Sequence, residues 1–418
     1  MNTLSRNRQE LKRRASYHFY RHLGRPLKRR HVKTTSGTPM VAGLLSSPIG
    51  LGAGARLVRR GLEMSGYDVS VCDLTPYIQP HMCEISVRSG AIDDGQGPII
   101  LHVNPAEVPK AIHLLRGRGL SHRRMIGVWA WELERIPKAW KNCENWFDEI
   151  WSISEFSLPG LSTLSTPAVH VGYPIPQATE DKPNHWRDRL GITDTFSVLM
   201  SFDAQSSLGR KNPMAAIEAF NRAFPDPADA RLVIKITGDY KSFATSHPEI
   251  FDAPNIVIVD EVLLSWEMID LIRSCDSFIS LTRAEGFGLT VAEAAANGVA
   301  TIVTGWSAPA DWIGCPNMHF VDFDLIPVKD AYNVYNNITG RRWADPDIAH
   351  AAKLLRDIKD RPQSETKKLS GKAKKWWKKN HGVDAFQSRL SRETRSAMIK
   401  IENREHEHAL LQHAKPAE

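Results

Sequence analysis

The chain has 418 residues, of which 42% are hydrophobic and 24% charged, a balance typical of folded globular proteins. This length is sufficient for two domains of ordinary size. No apolar run approaches the roughly 20 residues that span a bilayer, and no apolar signal core follows the charged start, which excludes an ordinary membrane-spanning helix. The five cysteines are scattered and odd in number, which favours reduced thiols in a cytoplasmic protein over a disulfide framework or a zinc site.

The formal charge of +7 is concentrated at the N-terminus, where residues 1–33 hold eleven Lys or Arg and one acid, a local charge of +10. The rest of the chain is therefore slightly acidic, at −3. An apolar helical stripe runs through the basic segment at Leu11, Ala15, Phe19 and Leu23. We expect residues 1–36 to form a basic extension that contacts an anionic membrane surface, which would make the protein peripheral on the inner face of the membrane. A solvated basic stretch is an equal alternative, an organelle-targeting segment is less favoured, and no nucleic-acid partner is predicted.

Strand and helix signals begin at Met40. The strand-like run 40–45 leads into a glycine-rich turn, an apolar-periodic helix and the strand 69–74, which together predict the first βαβ unit of a Rossmann-like domain. Gly50, Gly52 and Gly54 are spaced G-x-G-x-G, which differs from a dinucleotide fingerprint. These glycines either approach a ligand or only permit a tight turn.

Two strand ends in this half carry further candidate residues. His102 ends the apolar strand in PIILHVNP, and Trp131 and Glu132 follow the strand in GVWAWELE. A histidine at a strand end is more often structural, and paired tryptophans often pack a core, so structural roles are the alternatives for these residues. The segment VHVGYPIP, at 169–176, predicts a proline-stiffened passage between two domains.

A basic pair in the second half of the chain is a candidate anion site. In SFDAQSSLGRKNPMAAIEAF, a strand-like run precedes Arg210 and Lys211, and Pro213 marks the first turn of a helix. A guanidinium fork and a point charge beside a helix N-terminus suit a pyrophosphate and the charge that grows on it as it leaves. The common alternative is two adjacent cations on a solvated loop. This alternative is less favoured because a second candidate loop follows at the carboxyl end of another strand in the same half of the chain.

That second loop lies in the segment RAEGFGLTVAEAAANGVATIVTGW. A strand at 277–281, a helix at 290–297 and a strand at 300–303 are predicted around it, so the loop lies at the carboxyl end of a parallel strand. Gly286 and Gly288 would let its backbone come close to a ligand, and the free N–H groups of the helix N-terminus suit phosphates.

Two glutamates of this segment are candidate ligand contacts. Eight helical residues rise by about 12 Å, whereas the carboxylates of glycosidases lie roughly 5 to 9.5 Å apart. We therefore expect Glu285 and Glu293 to hold different parts of one elongated ligand. Glu285 would reach a sugar hydroxyl and Glu293 both hydroxyls of a ribose. A solvated amphipathic helix is the alternative for the glutamate pair taken alone.

The segments GRKNPMAAIEAF and EGFGLTVAEAAANG resemble the retaining glycosyltransferases of family 4. That family has the GT-B fold, in which two doubly wound, Rossmann-like α/β domains face each other across a cleft. The resemblance implies an acceptor-side domain at residues 37–175, a donor-binding domain at 176–375 and C-terminal helices at 376–418 that pack partly on the first domain. The basic cluster KKLSGKAKKWWKKN resembles the late helix region that crosses back, with a solvated basic stretch as its alternative.

The resemblance also implies a role for each motif residue. Arg210 and Lys211 would hold the diphosphate, Glu285 the donor sugar and Glu293 the ribose. His102 would lie near the transferring sugar, and backbone near Thr237 and 259–262 would meet the nucleobase. The other donor-binding candidates are Gly50, Gly52, Gly286, Phe287, Gly288, Leu289 and Thr290.

The expected activity is transfer of a hexose from a UDP- or GDP-sugar to a hydroxyl of a saccharide or lipid-linked acceptor, with retention of configuration. No tightly bound cofactor and no metal are expected, because no Asp-x-Asp is placed to chelate the diphosphate and the basic pair supplies the charge. By family tendency, surface polysaccharide or lipopolysaccharide assembly is the expected setting. The alternatives are another enzyme of this fold, such as an epimerase or phosphorylase, and a non-catalytic scaffold that binds nucleotide sugars.

Overall fold

The computed structural model describes residues 36–178, 185–238, 240–330, 335, 338 and 340–400. The basic segment of residues 1–33, and with it the expected membrane contact, lies outside the described residues. None of the helices in this described part is both long enough and apolar enough to cross a membrane.

Six parallel strands form the first sheet, in the order β2-β1-β3-β4-β5-β6. They are β1 (Met40–Gly43), β2 (Ser70–Asp73), β3 (Ile99–His102), β4 (Met125–Trp129), β5 (Glu149–Ser152) and β6 (Ala168–His170). Every residue of β1, β3, β4 and β5 is buried, which is expected for parallel strands covered on both faces.

A second parallel sheet has the order β12-β11-β10-β7-β8-β9. Its strands are β7 (Phe196–Asp203), β8 (Ala230–Thr237), β9 (Ile256–Val259), β10 (Ser277–Ser280), β11 (Ala300–Thr304) and β12 (Met318–Val321). A short antiparallel ribbon, β13 (Phe323–Pro327) with β14 (Arg342–Pro346), follows the sheet. The two sheets confirm the predicted α/β architecture of two doubly wound units.

Helices connect the strands, and their bounds in the first domain are α1 (Gly50–Met64), α2 (Thr75–Ile78), α3 (Val108–Leu114) and α4 (Leu158–Leu161). In the second they are α5 (His185–Arg189), α6 (Leu208–Lys211), α7 (Pro213–Ala223), α8 (Tyr240–Ser246), α9 (Pro248–Phe251), α10 (Ser265–Arg273), α11 (Leu289–Ala296) and α12 (Ile348–Lys359). The C-terminal helices are α13 (Gln363–His381), α14 (Val383–Arg389) and α15 (Arg392–Ser396). Short 3-10 turns lie at Pro80–Met82, Arg116–Arg118, Lys138–Asn142, Glu144–Trp146 and Ala308–Trp312.

Both sheets have a switch point where the chain reverses its direction of winding. In the second sheet this point lies between the neighbouring strands β7 and β10, and in the first it lies between β1 and β3. Ligands of doubly wound folds bind outside the carboxyl ends of the strands at such a point. The basic pair follows β7 and the glutamate loop follows β10, so the topology brings the two motifs together.

The predicted glycine-rich turn before α1 is wrong in detail, because Gly50 is the first residue of the helix and the next two glycines lie inside it. A Cβ at Gly52 would lie 2.2 Å from the carbonyl oxygen of Ser47, and one at Gly54 would lie 2.5 Å from the Tyr173 hydroxyl. Packing therefore requires glycine at these two positions. A Cβ at Gly50 would meet nothing within 4 Å, so packing does not explain that glycine.

Two stretches of chain connect the domains. Residues 171–178 have no regular structure, and the Ile175 N–H donates to the carbonyl oxygen of His381 at the end of α13. From there α14 packs on α1, where a Cβ at Gly61 would lie 3.0 Å from the ring of Phe386. The domain limits proposed from the sequence stay predictions, and the one at residues 375 and 376 falls inside α13.

Candidate donor site

The basic pair lies on α6, a single helical turn between β7 and α7. Ser207 caps this turn, its Oγ accepting from the Arg210 N–H, and Asn212 ends the turn in the left-handed region with a φ of 48°. Pro213 then begins α7 at a position that lacks an intrahelical N–H bond in any helix. The sequence therefore forces a sharp corner that presents both cations at the edge of the sheet.

Glu285 forms ion pairs with both Arg210 and Lys211. Lys211 Nζ lies 2.8 Å from Glu285 Oε1, and Arg210 Nη1 lies 3.2 Å from Oε2. Arg210 also donates to the carbonyl oxygen of Ala284 at 2.8 Å, which ties the corner to the loop after β10. Arg210 and Glu285 are both buried, with 7% and 8% of their surface exposed.

The charges of this cluster lower the pKa of Glu285 and raise the pKa of Arg210. Burial alone would raise the pKa of Glu285, but Lys211 and Arg210 outweigh it and hold the pKa below its ordinary value. Burial alone would lower the pKa of Arg210, yet its acidic neighbours raise it further above the ordinary value. Glu285 and Arg210 are therefore both charged at neutral pH, and the spare N–H donors of Arg210 and Lys211 can also bind an anionic ligand.

Two positions with positive φ shape the glutamate loop, of which only Ser307 is strained. Gly288, with a φ of 91°, stands just before α11 and adopts a conformation that glycine alone takes readily. Ser307 adopts a φ of 61° and a ψ of −149° although it is not glycine, and its Oγ accepts from the Glu285 N–H at 2.8 Å. Strain of this kind persists where the surroundings over-determine it, which is common at functional sites.

Glu293 lies within α11, one turn after its start, and is separated from the basic pair. Burial raises the pKa of Glu293 to about 7, and Arg56 of the facing domain opposes that rise. Arg56 projects from α1 and donates to the carbonyl oxygens of Leu45 and Ser47 at 2.7 and 2.8 Å. The two glutamates therefore have different charge partners, as expected if they hold different parts of one ligand.

The residues between the glutamates have different surroundings. Leu289 and Thr290 form the first turn of α11, where backbone N–H groups lack intrahelical acceptors. The ring of Phe287 points away into a cluster with Tyr173 and Trp312, at centroid distances of 4.9 and 5.2 Å. Only the backbone of Phe287 is thus placed for a donor contact.

The facing domain approaches the same loop at Gly286. A Cβ at this glycine would lie 3.2 Å from both the backbone nitrogen and the oxygen of Trp131, so no larger residue fits without a shift. Glu132, which follows Trp131, interacts electrostatically with Arg210 and Glu285, and burial raises its pKa. In the sequence only its position after a strand pointed to a role for Glu132, whereas the structure brings it near the basic pair.

His102 is fully buried at the end of β3. Its Nε2 lies 2.8 Å from the Tyr173 hydroxyl, and burial lowers the pKa of His102 to about 4, so the ring is neutral at pH 7. Tyr173 in turn packs against Phe287. These contacts link His102 to the donor loop through a second ring, and its catalytic role stays a prediction.

Several groups of the site were missed by sequence reasoning. Tyr335 packs its ring 5.5 Å from that of Trp131, and its pKa lies well above the ordinary value because of burial and the nearby Glu132. Arg56 and Ser307 join the site only through tertiary folding. No spacing or composition signal marks these three residues in the sequence.

In the part of the chain that the structure describes, no three His, Cys, Asp or Glu side chains are grouped to hold a metal ion. All five cysteines are free thiols.

A family model matches part of the second domain. Residues 206–336, which contain the basic pair and both glutamates, match the family described as Glycosyl transferases group 1. The resemblance to group 1 glycosyltransferases is confirmed. The finer assignment to family 4 stays a prediction, and no curated protein matches the sequence.

Solved glycosyltransferases have the same fold at low identity. A glycosyltransferase from Rickettsia africae is similar with a TM-score of 0.59 at 14% identity, over 85% of this chain and 96% of that one. Anabaena Alr3699/HepE, solved with UDP and glucose, has a TM-score of 0.58 at 12% identity, over 86% of this chain and 100% of that one.

A longer relative is S. aureus TarM, whose G117R mutant was solved with Fondaparinux, alpha-GlcNAc-glycerol and UDP. Its TM-score is 0.50 at 12% identity, over 71% of this chain and 55% of TarM, so this chain spans about half of TarM. At such identities the likeness shows the fold, which is GT-B.

Proposed function

We propose that the protein is a retaining glycosyltransferase that moves a hexose from a nucleoside diphosphate sugar to a hydroxyl acceptor. One observation carries the proposal. Arg210 and Lys211 both meet Glu285 at the switch point of the second sheet, inside the segment that matches group 1 glycosyl transferases. Two cations with spare donors beside a helix N-terminus suit a diphosphate.

The donor would lie along the loop and α11. Its diphosphate would bind the basic pair and the N–H groups of Leu289 and Thr290, with Gly50 and Gly52 facing it across the cleft. Glu293 would accept from both ribose hydroxyls. The base would lie near Thr237 and 259–262, where β8 and β9 end side by side. UDP is the first candidate because UDP-bound HepE and TarM have this fold.

The chemistry then follows from charge and position. The bond between the anomeric carbon and the diphosphate oxygen breaks, and the acceptor oxygen bonds to the same face of that carbon. Arg210 and Lys211 stabilise the negative charge that develops on the diphosphate, whose departing oxygen takes the acceptor's proton. Glu285 positions the sugar and balances positive charge at the anomeric carbon, without forming a covalent bond.

Glu132 is the acidic group that the facing domain contributes. Because it lies near the basic pair and Glu285, we assign it a hydrogen-bonding role toward a hydroxyl of the donor sugar or the acceptor. The acceptor is a saccharide or a lipid-linked saccharide, and the membrane contact through the basic N-terminal segment belongs to the second case. Surface polysaccharide or lipopolysaccharide assembly remains the expected setting.

Donor turnover tests the proposal. Labelled UDP- and GDP-hexoses would be incubated with the protein and a panel of saccharide and lipid acceptors, and both transferred and free sugar would be measured. We expect turnover of at least one donor, with Arg210→Ala and Lys211→Ala each reducing kcat/KM by about a hundredfold or more. Lys353→Ala is the control, since Lys353 is exposed and pairs with Asp357 on its own helix.

The alternatives give different results. A scaffold that only binds nucleotide sugars would bind the donor but yield neither transferred nor free sugar with any acceptor. An epimerase would change the donor sugar without releasing the nucleoside diphosphate. Equal turnover by the wild type and the Arg210 and Lys211 variants would contradict the assigned site.

A further inference from the structure

A cavity that is partly open to solvent lies at the junction of the two domains, beside Phe287 of the donor loop, and its inner space measures about 90 Å³. Three parts of the chain line it. The first domain contributes Glu155 and His170, the second Phe287 and Asp311, and the C-terminal helices Trp376 and Arg389. A molecule in this cavity would therefore touch every part of the fold that surrounds the domain junction.

The walls of the cavity are polar with nearly balanced charge. Two carboxylates, Glu155 and Asp311, face one guanidinium, Arg389. The imidazoles of His170 and His381 are neutral at pH 7, because burial and the nearby Arg389 lower their pKa values to about 4 and about 3. An anion would meet two carboxylates and a cation would meet the guanidinium, so the charge pattern favours a neutral polar ligand.

The cavity is lined by polar groups that can hydrogen-bond to hydroxyls and by aromatic rings that can contact the apolar face of a ring. Trp376, half-buried, and Phe287 provide aromatic surface, and Asn380 adds an amide. His381 is only 6% exposed, and its Nδ1 has no hydrogen-bond partner among the residues that the structure describes. Such buried polar atoms normally find a partner, which a bound molecule would supply.

The direction of the Asp311 carboxylate is set by the facing domain. Its Oδ2 accepts from the N–H groups of Glu155 and Phe156 at 2.7 and 3.2 Å. Arg389 is held by the neighbouring C-terminal helix, since its Nη2 donates to the carbonyl oxygen of Asn380 at 2.8 Å. Asp311 and Arg389 are thus fixed before a ligand arrives, which lowers the entropy cost of binding.

We propose that this cavity binds one neutral sugar ring, part of which enters the inner space while the rest stays at the open side of the cavity. Hydroxyls would pair with Asp311, Arg389 and Asn380, and the apolar face of the ring would lie on Trp376. Since the ring would touch both domains and Phe287, its binding would be coupled to the donor site. The inference rests on the proposed function, in which the ring is either a unit of the acceptor or a free sugar that regulates turnover.

Ligand-observed NMR on the full chain tests the proposal with glucose, galactose, mannose and N-acetylglucosamine, and with inorganic phosphate and glucuronate as charged probes. We expect saturable binding of at least one neutral sugar and at least tenfold weaker binding by Trp376→Ala. Trp266→Ala is the matched control, because Trp266 is 45% exposed and does not line the cavity. Asn380→Ala serves as a second variant if Trp376→Ala fails to fold.

No binding of the four sugars, tighter binding of phosphate or glucuronate, or unchanged binding by both cavity variants would overturn the proposal. UDP binding, measured in parallel on the same samples, reports the proposed function independently. If the wild type binds UDP but no sugar, only the proposed sugar site is overturned. If the wild type binds neither, the proposed donor site is contradicted as well.

Adding the donor distinguishes the two sources of the sugar. Glycosylation of the bound sugar identifies it as an acceptor unit, and a change in donor turnover of at least twofold without glycosylation identifies a regulator. Either result supports the cavity as a sugar site. A sugar that binds with neither effect would overturn its coupling to the donor loop.

Discussion

At the scale of single residues, Glu285 joins the two cations that we propose bind the diphosphate. In the free protein its single carboxylate offsets part of the charge of Lys211 and Arg210, both of which lie within 3.2 Å of it. A donor would therefore enter a site whose positive charge is already partly compensated. The cations must share their donors between the carboxylate and the phosphates, and this sharing makes the effect of removing Glu285 predictable.

Glu285→Ala should separate binding from chemistry. Without the carboxylate, two neighbouring cations are uncompensated, and breaking a buried ion pair costs about 3 kcal/mol of unfolding free energy. We expect the free variant to have a lower Tm, which UDP largely restores. Its Kd for UDP should be no higher than that of the wild type, and donor turnover should fall at least a hundredfold. Calorimetry and a turnover assay measure these quantities, and a much weaker UDP Kd would contradict the shared-cation account.

Glu293 should make nucleotide binding depend on pH. Its pKa of about 7 in the free protein means that the carboxylate is mostly protonated at pH 6 and mostly ionised at pH 8. Only the ionised form accepts from both ribose hydroxyls, so we expect UDP affinity to rise by up to about tenfold over this range. Glu293→Gln should remove that part of the pH dependence, which the difference between the two proteins isolates from titration of UDP itself.

The same group should reduce stability at high pH. Because its pKa is raised in the folded state, folding favours the protonated form, and its contribution falls as pH rises from the ordinary glutamate value through about 7. Glu293→Gln should therefore raise Tm at pH 8 and change it little at pH 5. An equal change at both pH values would contradict the raised pKa.

The site residues proposed from sequence are those with a local signature. Arg210, Lys211, Glu285 and Glu293 lie in two short motifs beside predicted strands and helices. Arg56, Ser307 and Tyr335 are distant from those motifs along the chain, and their neighbours carry no periodic or compositional signal. The left-handed backbone of Ser307 in particular is set by its surroundings, since serine does not favour it.

At the scale of elements, strands and helices with strong apolar periodicity were predicted closely. The helix expected at 290–297 is Leu289–Ala296, and the strand expected at 300–303 is Ala300–Thr304. The start of α1 was missed because glycines usually indicate a turn. There the glycines instead allow helix α1 to approach the backbone after β1 and the linker near Tyr173, a requirement that only the tertiary structure reveals.

Gly50 and Gly52 should respond differently to alanine. Gly52→Ala brings a methyl group to 2.2 Å from a backbone oxygen, and we expect a loss of about 1 to 3 kcal/mol in unfolding free energy. Gly50→Ala meets open space and should preserve stability or increase it slightly. If the start of α1 faces the donor phosphate, Gly50→Ala should still raise the donor KM severalfold. Chemical denaturation and steady-state kinetics measure the two effects.

At the scale of the whole molecule, contacts across the cleft hold the domains together. The backbone of Trp131 lies against Gly286, and the ring of Phe156 lies 5.4 Å from that of Trp306. Asp311 adds hydrogen bonds from one domain to the backbone of the other. The order of the strands and the pairing of the domains came from the family resemblance, since sequence periodicity does not specify which strands are neighbours.

Asp311 should control how firmly the domains close. Asp311→Ala removes the acceptor of two N–H groups in the facing domain, so we expect a larger radius of gyration in solution scattering and a higher donor KM. Asp322→Ala is the control, because the Asp322 side chain is exposed and lies 3.0 Å from His350 of its own domain. An unchanged radius and KM in Asp311→Ala would show that closure does not depend on this contact.

The central claim is that the cluster of Arg210, Lys211 and Glu285 binds a nucleoside diphosphate. Isothermal titration of UDP and uridine, and of GDP and guanosine, against the wild type and the Arg210→Ala, Lys211→Ala double variant tests it most directly. We predict that the wild type binds one diphosphate at least a hundredfold more tightly than its nucleoside and that the double variant loses this preference. Equal affinity for nucleoside and diphosphate in the wild type, or an undiminished preference in the double variant, would contradict the account.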